Sequence, residues 1–248
     1  MKKVASILFC LLIITETTVA QERKVENRPY TDLRPFHFGV VVGAHVQDVE
    51  LMNVGPQPFT REDGTVVTTH IAADQDRYDL GFIVGVLGEF RLSRHFQFRI
   101  APAMYFGNRH LVFKNLLETN AAGQPIEQRQ DLKTAYLSSA LNLIFAAPRF
   151  NNHRPYVMVG LNPMLNLSGS DQAILRFKRH DLFAEVGIGC DFYLPYFKLR
   201  PELKFMFSLI DCLDPRHADR QKDQNLVPYS RSVRQATGKM IALSFYFE

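Results

Sequence analysis

The residue types that usually carry catalysis or bind metal are scattered along this 248-residue chain. His37 and His45 would share one face of a strand, but eight residues of extended chain separate them by about 26 Å. That distance is too long for two ligands of one metal ion. The chain contains no HExxH, GxSxG, Walker A, GxGxxG or paired CxxC motif. We therefore expect a non-catalytic protein with no metal site, no cofactor and no small-molecule substrate, with an enzyme whose catalytic residues are spread over several strands as the alternative.

Charged side chains at alternate positions form the one other candidate site. If tight turns centre near residue 94 and residues 195–196, Glu89 faces Arg99 and Asp191 faces Arg200, whereas a one-residue shift would turn each strand inside out. Unpaired charges inside a fold are costly, so an ion-paired, hydrogen-bonded network is expected there. The alternative for the same residues is a path for protons or ions. The predicted network comprises Glu89, Arg99, Glu185, Asp191, Arg200, Glu202 and Lys204.

Alternation of apolar and polar residues indicates the strands that would hold these charges. Such a period of two is typical of a β-strand with one apolar face, and a helix would not alternate so strictly. Most of the alternating segments exceed the length usual in soluble sheets and match the roughly nine to eleven residues that cross a membrane at a tilt. Eight segments show the pattern, at about 36–49, 78–92, 95–113, 132–149, 155–167, 181–194, 197–210 and 236–247.

The connections between these segments alternate in length. Three are tight, near residues 92–94, 150–154 and 195–196, and four are long, at about 50–77, 114–131, 168–180 and 211–235. An even-stranded outer-membrane barrel with both termini in the periplasm produces this rhythm. The prediction is an all-β fold: a closed, antiparallel, eight-stranded transmembrane β-barrel, an up-and-down meander with short periplasmic turns and long extracellular loops. Its apolar face would contact outer-membrane lipid, and side chains would fill its interior.

The first twenty residues resemble a cleaved signal peptide and not a part of that barrel. Lys2 and Lys3 precede the apolar run 4–14, and small residues at 18–20 suit cleavage before Gln21. An uncleaved anchor or a lipidated Cys10 are the alternatives. We expect a periplasmic N-terminal segment at 21–35 and the barrel domain at 36–248. Removing residues 1–20 lowers the net charge from +4 to +3, which does not indicate a nucleic-acid partner.

Two cysteines, Cys190 and Cys212, belong to the predicted barrel domain. With Asp191 opposite Arg200, they would lie roughly twelve residues apart along the strands, about 40 Å. A disulfide requires Cα atoms within about 7 Å. We therefore expect two free thiols, with Cys190 facing lipid.

Several turns and strand ends resemble those of the PorT family of the type IX secretion and gliding-motility apparatus. The stretch 27–39 resembles the entry to its first strand through Pro29, Tyr30, Asp32, His37, Phe38 and Gly39. Residues 132–137, 151–157, 191–199 and 201–204 extend the likeness over nearly the whole mature chain. The fourth segment departs from a clean pattern, because Ser139 falls on the predicted lipid face and Ile144 inside.

The resemblance implies an eight-stranded outer-membrane barrel required for secretion or for assembly of the secretion machine, not its main translocon. Its partners would be outer-membrane lipid and other outer-membrane or periplasmic secretion proteins, bound through non-catalytic contacts. Two other hypotheses are an adhesin-like or ligand-binding barrel that acts through its surface loops and a soluble periplasmic carrier with an apolar interior. Membrane fractionation separates the carrier from the other two, and a cargo-secretion assay separates those from each other.

Overall fold

The computed structural model describes residues 25–60, 64–120, 123–168, 173–221 and 223–248, so the predicted signal peptide lies outside the described residues. Short helices at Thr31–Leu33, Ala218–Arg220 and Gln224–Leu226 and α1 (Val227–Ser230) interrupt a chain that is otherwise mostly strand. In the part described, no helix combines the length and apolar character needed to cross a membrane. The strands are β1 (Phe36–Asn53), β2 (Pro56–Thr60), β3 (Val66–Arg77), β4 (Leu80–Arg91), β5 (Phe96–Thr119), β6 (Pro125–Ala146), β7 (His153–Asn166), β8 (His180–Tyr193), β9 (Lys198–Ser208) and β10 (Val233–Phe247).

Eight of these strands close into a ring of antiparallel neighbours. The order around the ring is β1, β4, β5, β6, β7, β8, β9 and β10, and β10 pairs again with β1. Closure pairs both sides of every strand in the ring, so no sheet edge is left along it. The predicted eight-stranded, up-and-down antiparallel barrel is confirmed.

The apolar face of the ring points outward. Along β4, Leu80 and Phe82 are 75% and 57% exposed, whereas Ile83 and Glu89, which occupy the alternate positions, are 3% and 0% exposed. The same alternation holds in the other ring strands. Exposed apolar and buried charged residues invert the usual arrangement of a water-soluble protein, and an apolar outer band of this kind is what a lipid-facing barrel requires.

The two ends of the barrel differ in the length of their connections. Residues 92–95, 147–152 and 194–197 connect the strands at one end, called here the short-turn end. At the other, called the long-loop end, three connections are long, at 54–79, 167–179 and 209–232, and the fourth, 120–124, is a short turn between β5 and β6.

Two of the long connections contain more strand than the sequence pattern indicates. The predicted loop 50–77 includes the end of β1 and the hairpin of β2 and β3, and β3 pairs with the outer part of β5. The predicted loop 114–131 narrows to 120–124, because β5 and β6 continue their pairing from Phe96 opposite Phe145 as far as Asn115 opposite Ile126. Beyond the apolar band both faces of a strand can meet water, so alternation no longer marks it.

The fourth ring strand, β6, has the side-chain directions expected from its unusual sequence. Ile144 is 0% exposed and lies inside the barrel, while Leu143 and Phe145 are 40% and 48% exposed on the outer face. Ser138 points inward and is buried, and Ser139 is partly exposed on the outside. An apolar side chain inside and a small polar one outside therefore belong to the regular register of this strand.

Apolar side chains close the barrel at its long-loop end. Gln130 of β6 holds the following loop in two hydrogen bonds, one from its Nε2 to the carbonyl of Leu175 (3.0 Å) and one from the Leu175 N–H to its Oε1 (2.9 Å). Ser230 Oγ donates to the carbonyl of Ile174 at 2.6 Å. The loops thereby bury a cluster over the barrel mouth that includes Phe113, Ile174, Leu175, Cys212, Leu213 and Tyr229.

Candidate functional site

Arg200 of β9 lies at the centre of the charged groups inside the barrel. Its Nη1 lies 2.5 Å from Glu89 Oε2 and 2.6 Å from Glu248 Oε1, and its Nε lies 2.5 Å from Asp191 Oδ1. The four side chains are at most 3% exposed. One guanidinium therefore joins carboxylates from β4, β8 and the residue that follows β10. A buried cation with three acidic neighbours is held by electrostatics that water screens little.

Arg99 of β5 extends the same network. Its Nε lies 3.3 Å from Glu89 Oε2, and its Nη1 lies 2.8 Å from Glu202 Oε2. The phenol groups of Tyr156 and Tyr246 donate to Glu202 at 2.8 and 3.0 Å. The Arg99 guanidinium also lies over the Tyr246 ring, 4.3 Å from its centre. Glu89 therefore bridges two arginines, and Glu202 is satisfied by one arginine and two tyrosines.

Five of the seven residues predicted for the network are thus connected: Glu89, Arg99, Asp191, Arg200 and Glu202. Glu185 and Lys204 lie inside the barrel but form no ion pair with each other or with another described residue. Asn162 Nδ2 donates to Glu185 at 2.5 Å, and Lys204 Nζ donates to the Tyr105 hydroxyl at 3.4 Å. The register places Gly187, and not Glu185, opposite Lys204, so hydrogen bonds and not ion pairs hold these two side chains.

Sequence reasoning missed two charged members of the network, Lys198 and Glu248. Lys198 is 0% exposed and pairs with Glu248, which also lies 3.6 Å from His37 Nδ1. The alternation of residues along β9 places Lys198 on the same face as Arg200, so the sequence pattern was sufficient to predict that Lys198 lies inside the barrel. Glu248 follows the last strand, and only the closed ring shows that its side chain turns inward.

Residues 25–35 fold across the short-turn end, in what we call the N-terminal lid. Because β7 lies opposite β1 in the ring, the lid crosses the whole mouth before the chain enters β1. Arg149 Nη1 donates to the carbonyl of Arg28 at 3.2 Å, and its Nη2 donates to that of Asn27. The Arg149 guanidinium lies over the Tyr193 ring, 3.7 Å from its centre. The turn between β6 and β7 therefore holds the far end of the lid.

The family-like residues lie in this lid and in the start of β1. Asp32 accepts a 2.6 Å hydrogen bond from the Tyr193 hydroxyl and lies 3.5 Å from Arg154 Nη1. Pro29 and Tyr30 are exposed on the lid, with Tyr30 75% exposed. The remaining three begin the first strand: His37 is buried inside, Phe38 is 64% exposed outside, and Gly39 faces inward, where a Cβ would collide with the Phe247 carbonyl of β10.

A separate titratable group lies at the long-loop end, beyond the apolar band. His110 Nε2 is 2.6 Å from Asp79 Oδ2, and its Nδ1 is 2.6 Å from Asp131 Oδ1. The hydrogen bonds to Asp131 and Asp79 raise the pKa of His110, against burial and the nearby Arg77, which lower it. Hydrogen bonding to His110 in turn lowers the pKa of Asp79. Both ring nitrogens serve as donors only in the protonated imidazolium.

This arrangement favours a structural role for the buried charges. Acids and bases neutralise one another inside the barrel, the lid covers one mouth and the folded loops cover the other. Among the described residues, His, Cys, Asp and Glu side chains form no group of three or more suited to a metal ion. The surfaces left for other molecules are therefore the two ends and the outer wall.

Comparison with known proteins gives one family match. The model described as "Outer membrane protein beta-barrel domain" matches residues 19–214. No curated protein matches the chain. Similar solved structures include Neisserial surface protein A (11% identity, 86% of this chain and 98% of that one, TM-score 0.41) and OprG from Pseudomonas aeruginosa (11% identity, 85% and 93%, TM-score 0.43). Another is Ail of Yersinia pestis, solved with the heparin analogue sucrose octasulfate (13% identity, 87% and 100%, TM-score 0.35).

Proposed function

Because the chain belongs to the outer-membrane protein β-barrel family, we propose that it is an integral outer-membrane component required for type IX protein secretion or for assembly of that machine. The role is non-catalytic and is exerted through contacts with other outer-membrane or periplasmic secretion proteins. In such barrels the short turns face the periplasm and the long loops face outward. The N-terminal lid is therefore the part of the molecule that a periplasmic component would meet.

The observation that carries the proposal is the filled and covered interior. Arg99, Arg200 and Glu89 are each 0% exposed in the lumen, and the lid lies below them. An interior packed in this way leaves the protein to act through its surfaces, as expected for an accessory barrel and not for a main translocon. The likeness to the PorT family supports the specific system, and its first-strand motif supplies Asp32, which anchors the lid.

The test is deletion of the gene in the native bacterium, followed by assay of type IX cargo in the culture medium. We expect cargo to remain in the cells and secretion to return with a plasmid copy. A plasmid copy with the Asp32→Ala substitution tests the lid, with membrane abundance of the barrel measured in parallel. Normal cargo secretion by the deletion strain would reject the proposal.

A second candidate function is ligand binding at the outer surface. The hairpin of β2 and β3 and the outer part of β5 form, with α1, an open cleft of about 720 Å³. Its lining combines aromatic side chains with amides and carboxylates, including Phe59, Asn115, Gln128, Asp223 and Tyr229. Replacing residues 54–65 with a short Gly-Ser turn should abolish binding to cells or surface ligands under this hypothesis and leave cargo secretion intact under the first.

A further inference from the structure

We infer that the basic side of the short-turn end is a docking site for an acidic segment of a periplasmic protein. We call this surface the basic half-rim and define it by Arg34, Arg91, Arg94 and Arg149. The inference deepens the proposed function, because it names the surface through which the barrel would meet a secretion partner. It rests on the distribution of charge at the two ends and on how these arginines are held.

The short-turn end is basic although the whole chain carries a net charge of only +4. The lid and the three short turns together contain four arginines, no lysine and two acids, Glu26 and Asp32, and a fifth arginine, Arg91, ends β4 beside them. Asp32 is already engaged by Arg154 and Tyr193. The outer parts of the strands and the long loops instead mix basic residues with many acids, as at Asp48, Glu50, Asp74, Asp76, Asp79, Glu118, Glu127, Asp131, Asp211, Asp214 and Asp219.

The positive charge of the half-rim is oriented but not neutralised within the described chain. Arg91 Nη1 donates to the lid carbonyl of Leu33 at 3.2 Å, and Arg149 donates to the carbonyls of Arg28 and Asn27. Main-chain carbonyls fix a guanidinium without cancelling its charge. Arg34 and Arg94 are exposed, and no described carboxylate pairs with either. Arg149 uses four of its five N–H donors on oxygens of the lid and of its own turn, so it contributes mainly its charge. Arg91 keeps N–H donors that bond no described residue, and these suit bidentate binding of a carboxylate.

The four arginines lie next to one another around the ring. Arg34 precedes β1, Arg91 ends β4, Arg94 lies in the turn to β5, and Arg149 lies in the turn from β6 to β7. These strands are consecutive neighbours in the ring, so the half-rim covers one side of the mouth. The opposite side carries apolar and aromatic residues at 194–197, among which Tyr196 is 92% exposed. Arginine and tyrosine are, with tryptophan, the residue types enriched among those that contribute most binding energy at protein interfaces.

The geometry favours a partner in the periplasm over phospholipid headgroups. Arg91 and Arg149 bind the lid, which lies across the mouth, and so they sit on the side away from the lipid-facing wall. Exposed Tyr30 and Leu33, 75% and 59% accessible, lie on the same lid. A ligand that contacts the lid and the half-rim together approaches along the barrel axis from the periplasm.

The test uses the mature full-length protein in nanodiscs of zwitterionic lipid, with fluorescein-labelled decaglutamate as the probe and fluorescence anisotropy as the readout. We expect saturable binding that weakens about tenfold or more between 50 and 300 mM salt. The double variant Arg34→Gln, Arg94→Gln should weaken binding at least about fivefold, because it removes two exposed charges without touching the lid contacts. The matched control, Lys133→Gln with Arg216→Gln, removes two exposed charges at the long-loop end and should change the affinity less than about twofold.

Absence of binding, or equal loss in the two double variants, would overturn the inference, since net charge alone would then account for any affinity. The lipid alternative predicts that Arg34→Gln, Arg94→Gln loses bound phosphatidylglycerol in native mass spectrometry while its affinity for decaglutamate is unchanged. That result would also overturn the inference. The anisotropy measurement uses purified protein and is independent of the secretion assay. Purified barrel that does not bind decaglutamate would reject the docking site even if the deletion strain fails to secrete cargo. Normal secretion by the deletion strain would reject the proposed function even if the purified barrel binds decaglutamate.

Discussion

Arg200 and Glu89 are 111 residues apart in sequence and meet inside the barrel, with Nη1 of the arginine 2.5 Å from Oε2 of the carboxylate. Arg200 belongs to β9 and Glu89 to β4, and two other strands, β10 and β1, separate these in the ring. The contact therefore crosses the lumen and exists only when the ring is closed. It links the buried charges to closure of the barrel itself.

The first prediction is that Arg200→Met destabilises the barrel strongly. The substitution leaves Glu89, Asp191 and Glu248 close together without their shared cation. Removing one member of a buried charge network costs about 3–5 kcal/mol, most of it from charges left uncompensated. Urea unfolding of the refolded barrel in lipid vesicles, followed by tyrosine fluorescence and gel mobility, measures this loss in the free energy of unfolding.

The control for this prediction is Lys239→Met at the outer surface. Lys239 Nζ lies 2.6 Å from Glu50 Oε2, but both side chains are substantially exposed. Exposed pairs contribute little to stability, so the urea midpoint should not move measurably. If Arg200→Met unfolds at the same urea concentration as the wild type, the ion network is not what stabilises the closed ring.

The second prediction concerns the N-terminal lid. Arg149→Gln removes the donors to the lid carbonyls of Asn27 and Arg28 and the contact with Tyr193. The amides of Thr31, Leu33 and Arg34 donate within the lid and report its integrity. We expect their hydrogen exchange to become about tenfold faster or more, while exchange in the ring strands is preserved.

Arg94→Gln is the matched control for the lid, because it removes an arginine from the same end whose guanidinium does not hold the lid. Mass-spectrometric exchange on peptides covering residues 27–35 compares the two variants with the wild type. Unchanged exchange in Arg149→Gln, or equal acceleration in both variants, would show that the lid is held by other contacts.

The positions of the ring strands were predictable because two different environments act on alternate residues. Leu80 and Phe82 lie on the outer, lipid-facing surface, and Ile83 and Glu89 lie in the packed interior. The alternation of residue types with a period of two therefore continues through the membrane-spanning part of the strand. The hairpin of β2 and β3 and the outer part of β5 and β6 have no such signal. Beyond the apolar band their outer faces meet water, and only main-chain pairing identifies them as strands.

The partners in the lumen were predictable only to the extent that they follow from a hairpin. Glu89 and Arg99 are cross-strand neighbours across a tight turn, which fixes their proximity from local sequence. The contact of Arg200 with Glu89 depends on the diameter of the ring, and that of Asp32 with Tyr193 depends on the path of the lid. The alternation of apolar and polar residues shows which side chains face inward but not which of them meet across the lumen or under the lid. These two contacts could therefore be identified only from the three-dimensional structure.

The third prediction is that the two described cysteines never pair and that Cys212 is inert in the folded protein. Cys212 is 6% exposed, and its thiol donates to the Ala236 carbonyl at 3.1 Å. Burial raises its pKa to about 12, and the thiolate is the reactive form, so Cys212 stays almost entirely in the unreactive thiol form at pH 8. Cys190 lies on the outer face of β8, at the other end of the barrel.

N-ethylmaleimide at pH 8, followed by peptide mass spectrometry, checks this prediction. Cys212 should stay unmodified in the folded barrel and react fully after denaturation. Dithiothreitol should leave the urea midpoint unchanged. A peptide pair linked through Cys190 and Cys212, or rapid labelling of folded Cys212, would contradict the expected arrangement.

The fourth prediction is a pH dependence at the long-loop end, centred on His110. Protonated His110 donates to Asp131 and Asp79, and these bonds raise its pKa above the ordinary value of 6.5. A raised pKa in the folded state means that the group's contribution to stability is fully present below the ordinary pKa and is lost as the pH rises through the raised one.

NMR titration of the His110 imidazole in detergent micelles should give a pKa above 6.5, and Asp131→Asn should lower it. Asp214→Asn, which removes an acid paired with Arg220 at the same end, should leave it unchanged. A His110 that titrates at or below 6.5 in the wild type would show that the two carboxylates do not hold the imidazolium.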